Sequence, residues 1–195
     1  RKVNAVVFSS AISQKNPEIL EAKKKHIPIV SRADMLSELM KNKKCIAVAG
    51  SHGKTTTTSF VGNILESGKL DPTIVNGGII NSLSKNNKFG KGKWMVVEAD
   101  ESDGSFLKLP HEISIITNLD IEHLDYYKTP KKLYSSFEKF IMNLPFYGTS
   151  IINEDDKNLK KIIQKNDTRR IITFSIKNKK SNVFVDNINF DKQYS

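Results

Sequence analysis

Gly50-Ser51-His52-Gly53-Lys54-Thr55-Thr56 joins an apolar run at 45–49 to a segment of helical period, the setting of a phosphate-binding loop. Each residue type has a task there. Glycines let the backbone turn sharply and bring its N–H groups close to phosphate oxygens. A helix beginning near Lys54 adds the positive end of its dipole. Lys54 supplies a mobile charge for β- and γ-phosphates, and the Thr55 hydroxyl is a ligand for Mg²⁺. Val48 stands where the usual G-x-x-x-x-G-K-[ST] pattern has its first glycine, so the match is incomplete. The bland alternative is a helix-capping turn with an incidental lysine. The strand before and the helix after favour a nucleotide, ATP or GTP.

Two more groups follow apolar runs. Residues 94–97 lead into Glu98-Ala99-Asp100-Glu101-Ser102-Asp103, four carboxylates within six residues of a basic chain. At the carboxyl end of a strand in an open α/β sheet, such residues face the ligand crevice. Mg²⁺ takes oxygen ligands, which makes Glu98 the candidate partner of Thr55; a solvated acidic turn is the alternative. Residues 113–116 lead into Thr117-Asn118-Leu119-Asp120-Ile121-Glu122-His123, placing His123 among acids at another strand end. It is a candidate ligand of a second metal, an anchor for phosphate, or a loop hydrogen-bonding group. His52, inside the phosphate loop, has a ring N–H to offer an anionic substrate. His26 and His111, near Pro28 and Pro110, read as surface loop residues without a role.

These side chains need a sheet to place them. Short unalternating apolar runs at 5–8, 45–49, 94–97, 113–116, 150–152 and 171–174 suit strands buried on both faces. Between them, Asn16-Pro17 opens a helix reaching Lys25. Phe60, Val61, Ile64 and Leu65 line one face of a helix that Gly68 ends. Thr129-Pro130 starts another, with Leu133, Phe137, Phe140, Ile141 and Leu144 on one stripe, and 156–165 is a further helix. The alternation predicts an α/β fold with a mostly parallel, doubly wound sheet. A break near Lys41-Asn42-Lys43-Lys44 divides residues 1–43, a βαβα piece too short to be an ordinary domain, from 44–195. The tail at 191–195 closes no element, so the chain reads as the interior of a longer protein.

With 195 residues, 38% hydrophobic and 27% charged, the chain can bury a core. Nowhere do about 18 apolar residues run together, which excludes a membrane-spanning helix. Its first residues lack the pattern of a secretory signal. The single cysteine, Cys45, excludes an internal disulfide and a cysteine-based zinc site, as expected in the reducing cytoplasm. A net charge of +10 admits a nucleic-acid partner. The lysines are scattered, however, and no aromatic residues interleave with them as a base-stacking platform needs. Polyanionic small molecules such as nucleotides answer the same charge, so no nucleic acid is expected.

The loop at 50–56, Glu98-Ala-Asp-Glu-Ser-Asp103 and Thr117-Asn-Leu-Asp-Ile-Glu-His123-Leu-Asp125, in that order, resemble the ATP-dependent Mur ligase family. Ser9-Ser-Ala-Ile-Ser13 with Asn16-Pro-Glu18, Ser105-Phe106 and Asn143-Leu-Pro-Phe-Tyr-Gly148 extend the resemblance over nearly the whole chain. They favour the branch that joins L-alanine to UDP-N-acetylmuramate. The resemblance implies that residues 1–43 end an N-terminal, Rossmann-like UDP-sugar domain. It also implies that 44–195 are an incomplete central P-loop ATP-binding domain, with the C-terminal amine-selecting domain absent and the piece inactive alone. It implies ATP and Mg²⁺ as cofactors, Gly50, Ser51, His52, Gly53, Lys54, Thr55 and Thr56 on ATP, and Lys54, Glu98 and His123 as catalytic. Thr55 and Glu98 would hold one Mg²⁺ and His123 part of a second site. His52, Asp100, Glu101 and Ser102 would lie near the UDP-sugar. Some branches carry a carbamylated lysine on the following helix; Phe137 or Glu138 stands there, with Lys139 adjacent, so that ligand is not carried over. A ligase adding a murein tripeptide shares the same motifs, and a nucleotide-binding module without ligase chemistry remains the alternative from another class.

Overall fold

The computed structural model describes residues 3–76, 87–165 and 168–188; the tail at 191–195 lies outside them. β1 (Val6–Phe8), α1 (Pro17–Lys24), β2 (Ile29–Ser31) and α2 (Arg32–Met40) come first. They are followed by β3 (Lys44–Ala49), α3 (Lys54–Ser67), β4 (Thr73–Val75), β5 (Trp94–Glu98) and a 3₁₀ turn at Ser105–Lys108. Then come β6 (Ile113–Ile116), α4 (Leu124–Tyr127), α5 (Pro130–Met142), β7 (Thr149–Asn153), α6 (Lys157–Lys165), β8 (Arg170–Ser175) and β9 (Val183–Phe184). All six apolar runs are strands, and the sheets are parallel at every strand pair.

β1 and β2 form a two-stranded sheet of their own, while the remaining strands form a seven-stranded sheet ordered β4-β5-β3-β6-β7-β8-β9. From β3 the chain moves to one side to build β4 and β5, then crosses to the other side for β6. The crevice of an open α/β sheet lies at such a reversal, outside the carboxyl ends of the strands. Register aligns those ends, with Val48 beside Glu98 and Ala49 beside Ile116.

Both faces of the sheet are covered. Cys45, Ala47 and Ala49 of β3, with Met95 and Val97 of β5, point into the larger core, where Phe106, Leu133, Phe137, Phe140, Ile141, Leu159 and Ile162 pack. Ile46, Val48 and Val96 point the other way, against Val61 and Leu65 of α3. This settles the face of α3. Its inner row is Thr58, Val61, Gly62 and Leu65, whereas Phe60 and Ile64 are 64% and 69% exposed. The expected four-residue apolar face is therefore only half correct. Small residues at 58 and 62 bring the helix close to the sheet and turn the neighbouring row outward.

Helix starts follow the expected chemistry. Asn16, Ser31 and Thr129 cap α1, α2 and α5 with side-chain oxygens. Ser31→Ala is expected to cost about 1 kcal/mol in a denaturant melt. α2 ties the first sheet to the rest: Met40 is buried in the larger core, Ser37 Oγ donates to the Lys108 carbonyl at 2.9 Å, and Lys108 pairs with Asp34 at 2.8 Å.

His111 corrects another expectation. It is 4% exposed, stacked on Phe140 with ring centroids 4.3 Å apart, and its Nδ1 lies 2.8 Å from the Leu109 carbonyl. Burial lowers its pKa, opposed by that backbone hydrogen bond. A buried neutral imidazole binds fewer protons than the same residue in the unfolded chain, so stability falls as pH drops below about 6.5. The slope is up to about 1.4 kcal/mol per pH unit until the folded-state value is reached. His111→Phe should flatten the dependence of Tm on pH between 7 and 5; an unchanged slope would show that other groups govern it. His26 is exposed, as expected of a loop residue. Among the described residues no helix is long and apolar enough to cross a membrane.

Candidate active site

The loop between β3 and α3 turns on two glycines with positive φ, Gly50 at 135° and Gly53 at 78°. A Cβ on Gly50 would lie 2.1 Å from Thr117 Oγ1, so the bend is both conformationally and sterically reserved for glycine. Gly53 is the N-cap of α3 and supplies no capping side chain. The first intrahelical bond there runs from Thr57 N–H to the Gly53 carbonyl at 2.9 Å. Helix geometry thus leaves the N–H groups of Lys54, Thr55 and Thr56 without an intrahelical acceptor, a donor cluster suited to phosphate oxygens.

Lys54 folds back over its own loop. Its Nζ donates to the Gly50 carbonyl at 2.6 Å and the Ser51 carbonyl at 3.2 Å. The same ammonium lies 3.0 Å from Glu101 Oε2 and donates to Oε1 at 3.2 Å. Thr55 Oγ1 donates to Glu98 Oε2 at 2.9 Å. The register that sets Glu98 beside Val48 makes this contact possible, because the loop begins two residues after Val48. A hydroxyl and one carboxylate are a sparse donor set. Mg²⁺ characteristically uses such a set, taking its other positions from water and phosphate, so these residues fit it. Among the described residues no group of three or more His, Cys, Asp or Glu could hold a metal by itself.

Glu101 turns inward. Its side chain is 1% exposed, and its backbone carbonyl accepts hydrogen bonds from the Tyr127 hydroxyl and the Gly104 N–H. Burial raises its pKa, and the Lys54 charge opposes that rise. His123 Nε2 stands 3.8 Å from Glu101 Oε1, while His123 itself holds a left-handed φ of 55° at the start of α4. A residue with a Cβ held there is mildly strained, a condition that clusters at functional sites. Asp100 is exposed and accepts the Ser102 N–H at 3.0 Å in a local turn. Ser102 is half-buried, and the two residues flank Glu101 in the chain.

His52 Nε2 lies 3.1 Å from Asp120 and 3.5 Å from Glu122. Phe137 is fully buried in the core, Glu138 reaches toward Lys165 at 3.7 Å, and Lys139 is exposed. None of the three joins the site. Sequence reasoning missed the side chains of Thr117, Asn118 and Tyr127, which touch the loop or Glu101. The signal available was only their place, Thr117 and Asn118 just after a strand end and Tyr127 at the end of a short helix.

Residues 48–195 match the Mur ligase middle domain and residues 1–44 the Mur ligase family catalytic domain. A UDP-N-acetylmuramate–L-alanine ligase of Azorhizobium caulinodans is 54% identical over 169 residues, 87% of this chain and 36% of the relative. The chain therefore spans little more than a third of that curated relative's length. The crystal structure of the UDP-N-acetylmuramate–alanine ligase of Thermotoga maritima superposes with a TM-score of 0.75 at 31% identity, covering 90% of this chain and 39% of that one. A murein peptide ligase of Psychrobacter arcticus shares the fold, with a TM-score of 0.76 at 23% identity over 96% of this chain and 44% of its own. The matched stretch carries the glycine-bent loop, the Thr55–Glu98 contact and the seven-stranded sheet that aligns them, and on this ground the chain belongs to the Mur ligase family.

Proposed function

We propose that this chain supplies the ATP-handling part of a ligase that joins L-alanine to UDP-N-acetylmuramate in the cytoplasm, for peptidoglycan precursor synthesis. The observation that carries the reading is Thr55 on Glu98 beside an uncapped helix start with Lys54 above it. The names of relatives about half identical to this chain support the substrate pair. In this reading residues 1–43 end the UDP-sugar domain and 44–195 belong to the central domain, a division in keeping with the two separate sheets.

The difficulty of the reaction is charge, since an anionic carboxylate must approach an anionic phosphate. A muramate carboxylate oxygen bonds to the γ-phosphorus as the bond to the ADP oxygen breaks. The alanine nitrogen then attacks the acyl carbon, loses a proton and expels phosphate. Lys54 draws charge off the transferring group, and the N–H groups of Lys54, Thr55 and Thr56 fix its position. Thr55 and Glu98 would hold Mg²⁺, which when bound offsets charge between the phosphates. His123 is assigned to a second metal site. His52, Asp100, Glu101 and Ser102 are assigned to the side toward the UDP-sugar.

Glu98→Ala in the full-length protein should raise the Mg²⁺ concentration needed for half-maximal turnover by about tenfold or more. Unchanged Mg²⁺ dependence would return Glu98 to the status of a solvated turn residue. For the function itself, ATP-dependent phosphate release is expected with UDP-N-acetylmuramate and L-alanine. Release with the murein tripeptide in place of L-alanine would move the protein to the recycling branch. Nucleotide binding indifferent to any UDP-sugar would overturn the ligase reading.

A further inference from the structure

Asn118 holds the phosphate loop from outside. Its Oδ1 accepts the His52 N–H at 2.8 Å, and its Nδ2 donates to the His52 carbonyl at 3.0 Å. One side-chain amide therefore grips both polar groups of a single residue in the middle of the loop. The orientation of the amide is dictated by this pairing, because the reverse would set donor against donor. The backbone adds to the grip, with Ser51 N–H donating to the Asn118 carbonyl at 3.2 Å and Asp120 N–H to Ser51 Oγ at 2.8 Å. Thr117 Oγ1 donates to the same His52 carbonyl at 2.7 Å.

The gripping segment is itself fixed. Asn153 Nδ2 donates to the Thr117 carbonyl at 2.9 Å, and Asn158 Nδ2 donates to the Leu119 carbonyl at 2.8 Å. Asp156 Oδ2 accepts the Leu119 N–H at 3.0 Å. These anchors come from the end of β7 and the start of α6, far from the loop in sequence. The same segment continues into His123, so the loop and the His123 side of the crevice are built on one support.

We propose that Asn118 is a positioning residue for nucleotide binding, setting the loop's shape through His52 so that the N–H groups at the head of α3 face the phosphates before a nucleotide arrives. An unclamped loop can take many shapes, and holding it in the binding-competent one removes an ordering cost from association. The proposal rests on the nucleotide reading above and adds a residue that touches neither phosphate nor metal.

The test measures Mg·ADP binding by calorimetry, the melting temperature, and hydrogen exchange of the His52 amide, in the full-length parent and in its Asn118→Asp and Asn118→Leu variants. Asn118→Asp keeps size and the Oδ1 acceptor but sets an oxygen against the His52 carbonyl. Ser150→Ala serves as a control, since it breaks a buried hydroxyl pair with Ser114 on the sheet, away from the loop. The expected result is at least about a tenfold loss of Mg·ADP affinity in both Asn118 variants, with faster His52 exchange, while Ser150→Ala lowers Tm yet binds as the parent does. Asn118→Asp that folds and binds within about twofold of the parent overturns the proposal, as does a Ser150→Ala loss of affinity equal to that of the Asn118 variants. If Asn118→Leu fails to fold, the Asn118→Asp result decides. A full-length parent that does not bind Mg·ADP, with His52 still protected through Asn118, overturns the nucleotide reading and shows that the clamp serves something else.

Discussion

Lys54→Ala is expected to reduce phosphate release by the full-length protein by about a thousandfold or more, because it removes the cation held over the phosphate loop. The removed charge is also half of a buried pair. Lys54 is 13% exposed and Glu101 is 1% exposed, so the substitution leaves a carboxylate in the interior without its counter-ion. Burial already pushes the Glu101 pKa up, and Lys54 is what opposes it. In the variant burial acts on Glu101 without that opposition and favours its neutral form further, and stability is expected to fall by about 1–3 kcal/mol. The double variant Lys54→Ala/Glu101→Gln separates the two effects: melting should recover, and turnover should stay lost. Near-normal turnover in Lys54→Ala would refute the assignment of Lys54. Turnover restored along with stability in the double variant would mean that the lysine matters only as a structural partner.

Gly50→Ala is expected to weaken nucleotide binding by about a hundredfold and stability by about 2–3 kcal/mol. The new methyl meets Thr117 Oγ1 at 2.1 Å and the Asn118 backbone at 3.0–3.1 Å, on a backbone with φ at 135°. Rotating Thr117 away would relieve the contact only by giving up its bond to the His52 carbonyl. Gly53→Ala is the matched comparison. Nothing lies within 4 Å of a Cβ there, and φ is 78°. Only left-handed strain of about 1–2 kcal/mol applies. Equal losses of nucleotide affinity in the two variants would show that strain alone, and not the approach to the 117–118 segment, sets the loop.

Much of this architecture is legible along the chain because a parallel sheet buries both faces of its strands. Runs such as Cys45-Ile46-Ala47-Val48-Ala49 announce themselves without periodicity. β4 and β9 escaped notice because three and two residues are too few to make a pattern. Phe60 and Ile64 misled for a different reason. Hydrophobic spacing marks a stripe, but which row of it is buried depends on small residues, here Thr58 and Gly62, that govern how closely the helix approaches. His111 beside Pro110 has a loop-like neighbourhood in sequence, and its burial follows from the distant Phe140 stacking on it.

The site divides in the same way. Glycine, lysine, threonine and a strand-end glutamate stand out in the sequence because phosphate and Mg²⁺ chemistry calls for those types, and the fold brings them together. Asn118 does not, since an asparagine after a strand is ordinary. Its part becomes visible only through the pairing of Ala49 with Ile116, which brings the residues three beyond one strand and two beyond the other into contact. Glu101, expected near the UDP-sugar, is buried and paired with Lys54, with His123 3.8 Å away. Acid residues in a row do not disclose which of them faces inward.

The inward turn of Glu101 also changes how the crevice meets solvent. An overall charge of +10 does not make this mouth a magnet, because the lysine at its centre is already answered by a resident acid. A small stray anion gains little by displacing that acid, whereas a triphosphate that grips the helix start at several points can do so. Discrimination against simple salts is thereby built in before any base or sugar is recognised.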